Sequence, residues 1–165
     1  MQIIPLLSKE LDTEAAITRK MLSRIPNDKY DWKPHEKSMS IRQLAAHIAE
    51  IPGWIPIGLN TSELDFAKGD YKPTIVNNTQ EVLDKFEQSV ASAKSSLENA
   101  KEEDLLPTWT MRSGDQVHAV FTKYEVIRHA FAQIIHHRAQ LGVFLRLLNV
   151  PIPGTYGPSA DEMNF

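Results

Sequence analysis

The stretch that decides the fold is residues 123–148, KYEVIRHAFAQIIHHRAQLGVFLRLL. Ile127, Phe131, Ile134, Leu141, Leu145 and Leu148 recur at three- and four-residue spacings, the period of one helical face. No proline interrupts the run, and Asn149-Val150-Pro151 ends it. At about 1.5 Å per residue this helix would be about 39 Å long, the dimension of a helical bundle. Ile134, Ile135, Phe144, Leu145 and Leu148 cannot all point into one core. A helix apolar over so much of its circumference predicts a second packing partner, and hence a homodimer.

Three further segments carry helical periodicity upstream. The first runs from about Leu7 to Ile25 and stops before Pro26, with Leu7, Leu11, Ala15, Leu22 and Ile25 near one face. The second opens at Ser40, where Ser40 and Gln43 predict a capping box. It places Ile41, Leu44, Ile48, Ile51 and Ile55 on one side, and Pro52 and Pro56 should kink its second half because neither has an N–H to donate. The third begins near Asn78 and buries Val82, Phe86, Val90, Ala93 and Leu97.

Two connections are long. Residues 60–77, with Gly69-Asp70 and Pro73, read as a wandering loop. In residues 102–121 polarity alternates on either side of Ser113-Gly114-Asp115, which reads as a short hairpin at about residues 107–121. The expectation is therefore an all-α fold: a four-helix bundle with long connections, not simply up-down-up-down, in one domain spanning residues 1–165.

A chain of 165 residues with 42% hydrophobic and 24% charged residues has ordinary globular composition. At this length folding hides roughly two-thirds of the unfolded surface, so a core forms without disulfide staples. There is no cysteine, which excludes disulfides, thiolate zinc sites, iron–sulfur clusters and a cysteine nucleophile. Eighteen Lys and Arg stand against 21 Asp and Glu, a net charge of −3 spread along the chain, and no basic stripe suggests nucleic-acid binding. The first residues carry no basic n-region of a signal peptide, and no window approaches a membrane span. The expected setting is the cytoplasm, with no membrane and no nucleic acid as partner.

Six histidines remain to be placed. His47 lies between Leu44 and Ile51 at helical spacing, so it points inward, where a histidine is more often a hydrogen-bonded core residue than a ligand. His129, Gln133 and His137 form one stripe at spacings of four. Residues eight apart are about 12 Å apart along the axis, so His129 and His137 cannot chelate one ion. The short chelate left on this helix is Gln133 with His137, completed from another helix by a residue such as His47. His136 points about 100° away from His137. Glu50, three residues after His47 on the same flank, is a candidate anionic ligand or general base, set against the plainer reading of a solvated glutamate. His35 and His118 fall in loops and read as surface residues.

At Gln133-Ile-Ile-His136-His137-Arg138-Ala139-Gln140 the sequence resembles the DinB-like (DNA-damage-inducible) family of helical-bundle proteins, whose pattern there is His-x-x-His-His-Arg-Gly-Gln. The tail from Phe144 to Asp161 and the segment Trp32-Lys33-Pro34 with Ser38 to His47 also resemble that family. The resemblance implies an up-down-down-up four-helix bundle, usually a homodimer. It also implies a divalent metal, commonly Ni or Zn, held by one histidine of the second helix and a His-x-x-x-His pair of the fourth. Carried over, the ligands are His47, Gln133 and His137, with Gln133 standing where the pattern has histidine. Relatives of this kind are metal-dependent hydrolases or thiol-dependent transferases, which implies a metal-dependent enzyme acting on a small molecule. Such a substrate would enter between the second and fourth helices, with Trp32 and Trp109 as candidate walls. A neutral amide oxygen is a poorer ligand for Ni or Zn than imidazole. The alternative is therefore a non-catalytic dimeric bundle that has lost the metal.

Overall fold

Capping residues and prolines set where the helices begin and break. A computed structural model describes residues 2–69 and 74–163. Helix α1 (Ile4–Leu22) starts three residues earlier than its periodicity suggests, because Pro5 sits in the first turn, where no intrahelical N–H is needed. Helix α2 (Ile41–Glu50) opens on the expected capping box: Ser40 accepts from the Gln43 N–H and Gln43 accepts from the Ser40 N–H. Pro52 and Pro56 do more than kink the second half of this segment. A 3₁₀ turn (Ile51–Gly53) separates α2 from a short helix α3 (Trp54–Asn60). Helix α4 (Thr79–Asn99) is capped by Asn78, which accepts from the Glu81 N–H, and it buries the five apolar residues its spacing picks out. Helix α5 (Lys123–Leu147) is capped by Thr122 with Glu125.

The all-α expectation is corrected by a three-stranded sheet. Strands β2 (Thr108–Ser113) and β3 (Gln116–Thr122) form the expected hairpin, turning at Gly114 with a φ of +57° that glycine adopts at no steric cost. Strand β1 (Glu63–Asp65) adds to it in parallel, pairing Glu63 with Thr110 and Asp65 with Arg112. Its support is non-local: Arg112 forks onto Glu63, and Asp65 accepts the Gly114 N–H at 2.9 Å. Three residues cannot show a two-residue period, so the strand is invisible to pattern reading. The remainder of that connection includes Asp70 and Pro73, which lie outside the described residues.

Helices α1 and α2 each pack against both α4 and α5, and α3 packs on the same pair. The core falls into two apolar clusters, one around Leu22, Ile41, Phe86 and Leu145, the other around Leu11, Ile55, Leu97 and Phe131. On α5 a polar layer, His137 and Arg138, lies between Ile134 of the second cluster and Leu141 of the first, while on α2 His47 is flanked by Ala46 and Ile48 of the first cluster. Fully buried Arg138 crosses that layer to α1, donating to Glu14 at 2.6 Å and Thr18 at 2.9 Å. The tail is tied to the same pair, since Tyr156 accepts from Arg138 at 2.6 Å and donates to Glu14 at 2.7 Å. A buried guanidinium with a carboxylate, a hydroxyl and a phenol around it is satisfied, which is the condition for a charge to sit there at all.

Candidate metal centre

Helices α2 and α5 bring His47 and His137 face to edge, ring centroids 4.6 Å apart and planes inclined 77°. Both are half-buried. Burial pushes the His47 imidazolium below the ordinary histidine range; His137 adds to that, and Glu50 opposes it. Burial likewise holds His137 down, assisted by His136 and opposed by its hydrogen bond to Gln140. Both rings are therefore neutral at pH 7, the form that offers a lone pair.

Gln133 completes the group on the α5 side. Its amide oxygen lies 2.9 Å from Nε2 of His137, while Nδ1 of His137 lies 2.8 Å from the amide oxygen of Gln140. A neutral imidazole carries one N–H, so one glutamine accepts it and the other can turn its NH₂ toward the bare nitrogen. Spacing alone does not single out Gln140. Its signal is its place three residues after His137 on the same helical flank, where it can orient the ring as an outer partner does for a ligating histidine.

The remaining sequence candidates are dispersed around this group. His129 and Gln133 line one side of a cavity of about 160 Å³ whose other walls are His47, Ile51, Trp54 and Ala130. The His129–His137 pair is not brought together, as the helical rise requires. Glu50 accepts the Thr74 N–H at 2.7 Å and shares with His47 a second cavity of about 310 Å³ that also touches Arg42 and Ile75. His136 is exposed and meets His137 at 4.9 Å between ring centroids. His35 and His118 are exposed, as read, but His118 lies on β3 rather than in a loop and bonds Ser113 at 2.8 Å. Trp109 is buried with its indole N–H on Thr61, so it is a packing residue; Trp32 packs edge-on against Phe144. Among the described residues no three of His, Asp and Glu gather closely enough to hold a metal, so any such site depends on the glutamine.

The sequence matches the DinB family over residues 4–164. The chain belongs to that family. DinB-like proteins of known structure share its fold. One from Bacillus subtilis is 17% identical with a TM-score of 0.71, covering 96% of this chain and 99% of its own. One from Bacillus cereus is 16% identical with a TM-score of 0.71, covering 91% and 95%. The mycothiol-dependent maleylpyruvate isomerase is 13% identical with a TM-score of 0.61; 84% of this chain spans 60% of that longer enzyme. No curated protein matches the chain by sequence. Within this DinB-family chain, no helix among the described residues is long and apolar enough to cross a membrane.

Proposed function

We propose that this protein is a metal-dependent enzyme of the hydrolase or thiol-transferase kind, with a divalent ion, Ni or Zn, held by His47, Gln133 and His137. The observation that carries the reading is the convergence of two neutral imidazoles and one amide oxygen between α2 and α5. The 2.9 Å from His137 Nε2 to the Gln133 oxygen is close to the span of two adjacent ligands, each about 2.1 Å from one ion, at a right angle. Gln140, taking the Nδ1–H, would leave the Nε2 lone pair facing that point. An ion there supplies Lewis acidity for hydrolysis or thiol transfer. His47 and His137 bind it in their neutral forms, Gln140 fixes the His137 tautomer, and Glu50 beside His47 is the candidate base. The packing of α1 and α2 against both α4 and α5 supports an up-down-down-up four-helix bundle, and a second copy is proposed to cover the outer face of α5.

One observation favours a second reading, a non-catalytic bundle without metal. Both ring nitrogens of His137 already have glutamine partners, and no buried side-chain polar atom among the described residues lacks one. Metal analysis of protein purified without a histidine tag separates the two. One Ni or Zn per chain, lost in His137→Ala, supports the first; calorimetry showing no uptake of either ion leaves the second.

A further inference from the structure

The cavity beside the histidine pair has a chemistry of its own. Its six lining residues are His47, Ile51, Trp54, His129, Ala130 and Gln133, and none of them is Asp, Glu, Lys or Arg. In the metal-free protein a carboxylate or ammonium placed inside would lose its hydration without a counter-charge, so the lining then selects against charged organic groups. Its volume, about 160 Å³, is near the roughly 150 Å³ of an apolar cavity that admits one benzene ring. Ile51, Ala130 and the Trp54 ring supply flat apolar wall.

The polar groups sit at two ends. Gln133 and His47 belong to the proposed ion site, whereas His129 is one helical turn away on α5, about 6 Å along the axis. The His129 ring is braced by Phe121, with centroids 5.8 Å apart and planes inclined 30°. A six-membered ring spans that interval. Its hydrogen-bonding substituent would meet His129 while its opposite edge faces Gln133 and His47.

We infer that this chamber is a binding subsite for one uncharged aromatic ring bearing a single hydrogen-bonding substituent, a phenol-like group, with His129 as the residue that selects the substituent. Which edge of the ring reacts rests on the metal reading; occupancy of the chamber does not.

The probe is phenol, followed by the NMR shift of the Trp54 indole N–H (assigned with Trp54→Phe), first in EDTA and then with zinc. Phenol is expected to shift that signal saturably in EDTA, binding at least tenfold more tightly than benzoate and than toluene. Ala130→Leu, which fills the chamber, should abolish the shift. Because a core substitution can disturb folding, His129→Phe is the second variant: it keeps the ring shape and should reduce the preference for phenol over toluene to within about twofold. In EDTA, benzoate binding as well as phenol, no saturable shift with phenol, or an undiminished phenol preference in His129→Phe would each overturn the inference. Phenol binding in a protein that takes up neither zinc nor nickel would instead refute the metal reading and leave the chamber standing.

Discussion

At the scale of single residues, position 133 is the place to test the proposed ion site. Gln133→His would put two imidazoles four apart on α5, a pair already arranged by the helix, so little ordering entropy opposes chelation. Replacing an amide oxygen by imidazole suits Ni or Zn better. Calorimetry should show at least tenfold tighter binding, about 1.4 kcal/mol, and His137→Ala should abolish it in either background. Equal affinity in Gln133→His and the parent would mean that the cavity is not arranged for metal. A second prediction rests on burial. His47 and His137 are both held below the unfolded value of 6.5, so below about pH 6.5 the unfolded chain binds protons that the folded one does not. Their contribution is complete above that pH and is lost as the pH falls. In EDTA the melting temperature should drop between pH 6.5 and 5, and His47→Gln with His137→Gln should flatten the drop. An unchanged slope in the double variant would show that other groups carry it.

At the scale of elements, helix contact overrides helix propensity at one position. Gly58 sits inside α3, and an added Cβ would lie 2.8 Å from Cγ1 and 3.2 Å from Cβ of Val126 on α5. Propensity alone would make alanine better there by up to about 1 kcal/mol. Val126 is β-branched on a helix and has one favoured rotamer, so it cannot swing aside, and overpacking costs about 1–3 kcal/mol. Gly58→Ala should therefore lower the melting temperature by a few degrees, and adding Val126→Ala should restore part of the loss; a gain in the single variant would refute the close approach. The same scale explains what pattern reading could see. Helices α1, α4 and α5 are amphipathic over many turns, and Ser40 with Gln43 is a local signal, so all four are legible. Strand β1 is not, because the residues that hold it, Arg112 and Gly114, lie 49 positions away. The break at Ile51–Gly53 is half legible: Pro52 announces a lost N–H, but whether the chain kinks or restarts depends on packing. At the site, the stripe of four-residue spacings places His137 beside Gln133 and the inward face places His47. The hydrogen bond of Gln140 to His137 and the Trp54 wall emerge only from coordinates.

At the scale of the whole molecule, the open question is what lies against the outside of α5. Its inner face is spent on Ile134, Leu141 and Leu145, yet Val143 and Leu147 are each 59% exposed. They border a groove of about 480 Å³ shared with Met21 of α1 and with Ile152, Pro153 and Pro158 of the tail. The charged residue lining that groove, Arg146, is neutralised by Asp161 at 2.6 Å. An apolar, charge-balanced patch of this kind can meet its own copy about a two-fold axis without like-charge repulsion, whereas a strongly charged one could not. A stable pair of this sort needs roughly 800 Å² covered on each partner, which the α5 face, the end of α1 and the tail together must supply. Light scattering at micromolar concentration should therefore give twice the chain mass. Val143→Lys with Leu147→Lys should halve it, since two ammonium groups would have to be desolvated against their symmetry mates. The parent's melting temperature should rise with protein concentration by mass action, and that of the double variant should not. Val120→Lys on β3, at an equally exposed valine (60%) away from α5, should leave the dimer intact and so separates a specific face from general stickiness. A monomer mass for the parent would remove the pairing and leave the α5 groove without this partner.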